Sequence, residues 1–349
     1  MTNFGLEAGL FKNALYFTLN YFIKDTKDML LSPPSIGTIG TAAIPDQNIG
    51  QLRNQGLEIE ASIRKSVGDV SFNIGANATF IKNKIVKLAT PGAFLASQLY
   101  GRGQQEIVRT YEGHPYGTFY GYKSDGIYQN QSAIDADPNL ANDERRTNGQ
   151  IVPGDVRFKD LNGDGMVDDQ DRTIIGSPQA KINYGLNAGV NYKGFDLNLF
   201  FVGVGGVSIF NADRMQGLDA SYSFNLYADA EKRWNGEGSS NSIPRLSIEN
   251  QNRNFRPSDM FVEKGDFLRM KNLTLGYSLP KTIIAKLKMS QARIYVTGQN
   301  IFTITKYSGL NPELGYIGDN NGGNYRQLNV DYAQYPLART WTIGATLSF

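Results

Sequence analysis

The stretch Arg339-Thr340-Trp341-Thr342-Ile343-Gly344-Ala345-Thr346-Leu347-Ser348-Phe349 alternates strictly. Trp341, Ile343, Ala345, Leu347 and Phe349 share one face of a strand; Thr340, Thr342, Gly344, Thr346 and Ser348 share the other. A protein in water gains little by ending on an exposed Phe. A strand crossing an outer membrane needs apolar residues towards lipid and small polar ones towards a lumen. The half-buried edge strand of a soluble sheet is the alternative for this strand alone, and the rest of the chain has to decide.

Working outward, segments of the same period recur at the length a tilted strand needs to cross a bilayer, about 9–11 residues. Residues 3–12 place Phe4, Leu6, Ala8 and Leu10 opposite Gly5, Glu7 and Gly9, and 14–25 place Leu15, Phe17, Leu19, Tyr21 and Ile23 opposite Thr18, Asn20 and Lys24. Residues 52–66 and 70–80 follow as a hairpin through Val67-Gly68-Asp69. Residues 182–192 and 195–201 form another around Lys193-Gly194, with Tyr192 and Phe195 on one face beside the turn, where an aromatic girdle would lie. Residues 267–279, 291–304 and 337–349 complete nine spanning strands. In 267–279, Arg269 and Lys271 share the parity of Leu273, Leu275 and Tyr277, so they are expected to lie above the hydrocarbon.

The connections alternate strictly. Those at 13, 67–69, 193–194 and 280–290 are short, and 26–50, 87–180, 205–265 and 305–336 are long. Short turns at one end and long loops at the other are a barrel habit. Residues 115–124 also read as a strand, but a span there would break the alternation, so they are assigned to the long insert 87–180. The expected fold is all-β, an antiparallel membrane β-barrel. Nine is odd, single-chain bacterial barrels are even-numbered, and an unclosed sheet leaves backbone unpaired in lipid, so the barrel is expected to be incomplete.

Composition fits this reading. The 349 residues hold 38 Gly, 19 Tyr and 19 Phe and no Cys, and the formal charge of +2 leaves no nucleic-acid footprint. The mean hydropathy of -0.36 is compatible with apolar residues hidden at every second position. No apolar run reaches the roughly 18 residues of a membrane helix. The opening Met1-Thr2-Asn3-Phe4-Gly5-Leu6 lacks the basic and apolar regions of a secretory signal, so the chain is expected to begin within a longer protein.

Within the insert, Asp160 to Asp171 has calcium-loop spacing. Asp160, Asn162, Asp164, Asp168 and Asp171 stand at positions 1, 3, 5, 9 and 12, the Met166 carbonyl at 7 and Gly165 at the sharp turn. A structural Ca2+ is the expected cofactor; Asp171 reaches less far than the usual Glu, and an Asx-rich turn is the alternative. Catalysis has little support. His114 is the only histidine, no G-x-S-x-G elbow occurs, zinc donors are lacking, and Gly203-Val204-Gly205-Gly206 lacks the Lys-Ser/Thr of a phosphate loop. Aromatic residues in the long loops, Tyr222, Tyr227, Trp234, Tyr307, Tyr316 and Tyr325, with Tyr332, are candidates for stacking on sugars or clamping peptides; packing on one another is the alternative.

Several stretches carry a family resemblance: Pro115-Tyr116-Gly117-Thr118-Phe119-Tyr120-Gly121-Tyr122-Lys123 with Asp125-Gly126-Ile127; Pro153-Gly154-Asp155-Val156-Arg157-Phe158-Lys159-Asp160 through to Arg172-Thr173-Ile174-Ile175-Gly176; and Phe261 to Tyr277. Gly298-Gln299-Asn300-Ile301-Phe302-Thr303, Tyr335-Pro336, Arg339-Thr340 and the terminal Phe349 extend it. The chain resembles the C-terminal part of a SusC/RagA-type TonB-dependent outer-membrane transporter, departing at Asn311-Pro312-Glu313, where such proteins often carry Asp-Pro-Glu.

The resemblance implies a barrel of roughly 22 strands with a plugged lumen, in the outer membrane of a Gram-negative, Bacteroidetes-type cell. It implies import of oligosaccharides or peptides energised through TonB, with a SusD-like surface lipoprotein as partner. It also implies that Thr342, Gly344, Leu347 and Phe349 form the signal read by the barrel-assembly machinery, and that plug and TonB box lie outside these residues. A non-transporting surface-binding or structural barrel is the alternative function.

Overall fold

The computed structural model describes all residues except 13, 32–46, 89–91, 98, 101–104, 223–224, 287 and 316–326. Its largest element is a sheet of nine strands: β1 (Thr2–Leu10), β2 (Leu15–Leu31), β3 (Gln47–Val67), β4 (Val70–Lys87), β5 (Ile182–Tyr192), β6 (Phe195–Gly205), β7 (Phe267–Ser278), β8 (Gln291–Thr305) and β9 (Thr340–Ser348). Each pairs antiparallel with its neighbours in sequence, β1 and β9 being the edges of an open meander. These are the nine expected strands, with 115–124 outside the sheet. The stretch 26–50 differs from expectation: β2 runs on to Leu31 and β3 already begins at Gln47. Register shifts between Thr26 and Met29 and between Met29 and Leu30, with Asp28 at φ +56, interrupt the alternation there. The short link 280–290 contains the helix Lys281–Lys286.

Register aligns the two faces across the sheet. Ala8, Phe17, Ala61, Ala76, Leu186, Phe201, Met270 and Phe302 stand side by side on β1 to β8 without a polar interruption. One residue along, the opposite face carries Gly9, Tyr16, Ser62, Gly75, Asn187, Phe200, Asn272, Gln299 and Thr340. The apolar face has no protein layer over it: Ile343 is 79% exposed and Trp341 60%. A contiguous apolar surface of this kind is a liability in water and fits a lipid boundary. Glycines recur where a ring or amide crosses the strand. The ring of Tyr184 occupies the space a Cβ at Gly203 would need, and the amide of Asn187 does the same at Gly75.

The charges of β7 are corrected by a bulge. Phe200 pairs with Asn272 and the next residue, Phe201, with Met270, so Lys271 is an extra residue and parity inverts there. Leu273 and Leu275 face outward below the bulge; Met270, beside Phe201 and Phe302, does so above it. Arg269 and Lys271 therefore turn to the inner side rather than standing on the lipid face above the hydrocarbon. A bulge that re-aims side chains in this way is a usual device at sheet rims.

The buried core lies elsewhere. The three long connections after β4, β6 and β8 fold together at one end of the sheet. The strands Phe94–Ala96, Val108–Tyr111, Thr118–Gly121 and Thr173–Gly176 form one small sheet, and Ser208–Asn211, Val262–Lys264 and Val330–Asp331 another drawn from two connections. Phe119, Phe210 and Phe261 meet in the middle, with ring centroids 5.9 and 6.4 Å apart, and Val108, Leu218 and Val330 close around them. Each such side chain contributes about 1.5–3 kcal/mol by leaving water. Arg256, fully buried, stacks on Tyr122 at 4.6 Å and Phe158 at 4.4 Å, and burial lowers its pKa to about 10.

Candidate functional site

Where the inner face of the sheet runs under this cap, the structure forms a cavity of about 660 Å³. The sheet contributes Asn77, Asn183, Asn187 and Phe200; the cap contributes Gln179 and Asn329. The three sheet asparagines make no side-chain hydrogen bond with another described residue, so their amides are open to the cavity. Gln179 is fixed by donating to the Tyr116 carbonyl at 3.0 Å, and Asn329 by donating to the Pro178 carbonyl at 3.1 Å.

One wall is charged. Lys271, aimed inward by the bulge, donates to both oxygens of Glu313 at 3.0 and 3.2 Å. Arg269 binds the same carboxylate and also donates to the Asn311 Oδ1 at 2.6 Å and the Thr303 hydroxyl at 2.8 Å. Asn311 in turn donates to the Glu313 carbonyl at 3.0 Å, so Asn311-Pro312-Glu313 is tied as a strap across the rim. Sequence reasoning read these residues as separate features. The signal that links them is the extra residue in β7, visible only once strands are paired.

The acidic loop is a chain of Asx turns. Asp160 accepts the N–H groups of Gly163 at 2.6 Å and Gly165 at 2.7 Å, Asn162 Oδ1 that of Asp164, and Asp164 Oδ1 that of Met166. Asp168 caps the short turn Asp169–Asp171, and the buried Asp171 accepts from Leu161 at 2.7 Å and Asp168 at 2.8 Å. Burial pushes the Asp160 carboxyl up, but the N–H groups of Gly165 and Gly163 outweigh it and hold it below the usual carboxylate range. The donors are of the oxygen type calcium takes. Among the described residues, however, no three carboxylate or imidazole groups converge as a metal cage. Asn142, donating to the Asp164 carbonyl, and Arg145, donating to that of Val167, staple the loop to the cap.

Four of the aromatic candidates make hydrogen bonds within the cap. Tyr307 is buried, donates to Asp331 at 2.5 Å and lies over Gly309. Tyr227 donates to Asp213 at 2.5 Å and covers Gly217; burial and that carboxylate push its hydroxyl up to about 12. Trp234 packs on Gly154 and donates to Gln129 at 3.2 Å, and Tyr332 donates to Gln327. Tyr222 is partly exposed beside Ser221, and Tyr316 and Tyr325 lie outside the described residues. His114 is exposed in a turn, edge-on to Tyr111, and its carbonyl accepts from Ile85. Gly203 to Gly206 end β6, with Gly206 at φ +68. Thr342, Gly344 and Leu347 pair with Thr297, Tyr295 and Ala292 of β8, while Phe349 is 86% exposed beyond the strand.

An open antiparallel sheet with a bare apolar face, a polar inner face and long loops folded into a cap at one end defines part of a large membrane β-barrel. The chain belongs to the family of TonB dependent receptor-like β-barrels, whose model matches residues 2–301. It is 34% identical over 356 residues to TonB-dependent receptor P3 of Formosa agariphila, covering 99% of this chain and 33% of that protein. It is 28% identical to TonB-dependent receptor SusC of Bacteroides thetaiotaomicron, covering 99% of this chain and 31% of that one. The solved structure of the RagAB peptide transporter shares the fold, with a TM-score of 0.76 at 24% identity over 99% of this chain and 35% of that chain. The chain thus spans about a third of the length of the relatives it matches.

Proposed function

We propose that this chain is the C-terminal barrel part of an outer-membrane active importer of oligosaccharides or peptides, energised through TonB in the intact parent and working with a SusD-like surface lipoprotein. The observation that carries the proposal is the two-faced sheet. Its outward row is apolar across eight strands, while its inner face opens a cavity of mixed polar and apolar lining beneath a folded cap. The family membership and the likeness to SusC and RagAB support the same reading. Thr342, Gly344, Leu347 and Phe349, on a strand paired on one side only, are proposed as the assembly signal. The test is uptake by cells carrying the intact parent gene, which should stop when the proton-motive force is collapsed. Binding that persists with no energised uptake would favour the non-transporting surface barrel.

A structural Ca2+ in loop 160–171 is proposed separately, on its oxygen-donor sequence and the turn at Gly165, φ +80. The expected outcome is that EGTA exposes residues 150–175 to protease. Unchanged protection would make the loop a self-sufficient Asx turn.

A further inference from the structure

We propose that the cavity under the cap selects ligands carrying a negative charge, and that Lys271 is the residue that sets this preference. The proposal rests on the import reading above and names a ligand class for its cavity.

Lys271 and Glu313 are the charged side chains among the cavity's described lining residues, and Arg269 lies just behind them, 3% exposed. Two cations share one carboxylate, and the third group in the network, Asn311, is a neutral amide that already spends its oxygen on Arg269. The Arg269–Lys271–Glu313 network therefore carries one net positive charge. Arg269 is enclosed by Thr303, Asn311 and Glu313, whereas the side chains of Lys271 and Glu313 stay 39% and 38% exposed, so Lys271 is the cation of the network that a ligand can reach.

The backbone supplies a second, independent observation. Without the bulge, Lys271 would share the face of Leu273 and Leu275; the extra residue in β7 is what brings it inside. A flexible ammonium at the rim of a partly polar space can meet an anion by a charge-assisted hydrogen bond, stronger than a neutral one. On the same inner face, the open amides of Asn77, Asn183 and Asn187 offer both donors and acceptors, which suits a hydroxyl- or amide-rich chain around the charged group. The ligand class is thus a carboxylate-bearing polar oligomer, and sugar acid and acidic peptide share that chemistry.

The experiment uses the intact parent protein purified from outer membranes, with four calorimetric probes. Two are an oligogalacturonate and its full methyl ester; two are an Asp-Gly repeat peptide, capped at both ends, and its Asn-Gly counterpart. In at least one pair the acidic member should bind about tenfold tighter, equivalent to roughly 1.4 kcal/mol, and the pair that does so identifies the source. Lys271→Gln should weaken the acidic member about tenfold more than the neutral one, erasing the preference, and Lys271→Arg should keep it. Asn311→Asp, which gives Arg269 its own carboxylate, should also erase it. Equal binding of acidic and neutral probes, binding of none of the four, or a Lys271→Gln variant that weakens both members of a pair alike overturns the proposal. Energised uptake is read separately in cells, so the import reading stands or falls on its own result.

Discussion

The sheet and the cap are built from one chain for two surroundings. Phe210 in the cap is wholly buried, touching Phe119 and Phe261, and its contribution comes from leaving water. Ile343 in the sheet is 79% exposed and packs on no protein layer; its place is fixed by pairing with Val296 and by what surrounds the sheet. Of the largest fully buried side chains, Phe119, Phe210, Phe261, Ile134 and Ile151 lie in the cap, whereas Ile85 stands at the cap end of β4. Hydrophobicity thus has opposite meanings in the two regions, a core in one and a boundary in the other.

Phe210→Ala should cost the cap about 3–5 kcal/mol, as large-to-small core changes do, read as protease cutting in 206–265. Ile343→Ala, removing a similar kind of side chain from the bare face, should leave cap protection unchanged. Equal loss from both would mean that the sheet face is an ordinary core. A smaller effect separates lipid from water: Leu275→Arg, on the outward face between Leu197 and Val296, should cost about 2–4 kcal/mol in a bilayer, measured as a lowered unfolding midpoint in liposomes. A neutral result would place that face in water. The smallest effect belongs to Asp160. Because its folded pKa lies below the ordinary value of about 3.9, its contribution to cap stability is complete above that value and fades as pH falls through the lowered pKa. Asp160→Asn should flatten this acid-side loss, monitored by proteolysis of residues 150–175.

Much of the sheet was legible because period-two alternation is local: a residue and its neighbour two places on share a face whatever the partner strand does. The same locality explains what was missed. The missed ends of β2 and β3 shift register twice between Thr26 and Leu30, with Asp28 at φ +56, so no period-two pattern runs through them. The inversion at Lys271 is a matter of register between three strands and leaves no trace in the alternation of one. The cap core joins Phe119, Phe210 and Val330, residues from three connections, with no period to connect them. For the site, the sequence offered aromatic rings and an acidic loop; Tyr227, Trp234, Tyr307, Tyr332 and the loop all bond to cap residues. The inner asparagines of β4 and β5 were visible as a polar face, but their convergence on a cavity with Lys271 depends on the bulge and on the strap at 311–313.

The most direct test of the two-faced sheet uses introduced cysteines, for which these 349 residues hold no native competitor. Cysteines would replace Phe17, Leu186 and Phe302 on the apolar row and Ser62, Asn187 and Gln299 on the inner row, in the parent protein in its native membrane. With a fluorophore on each, brominated lipid should quench the first three and spare the second. Quenching of both rows, or of neither, would contradict a barrel wall with lipid on one side and lumen on the other.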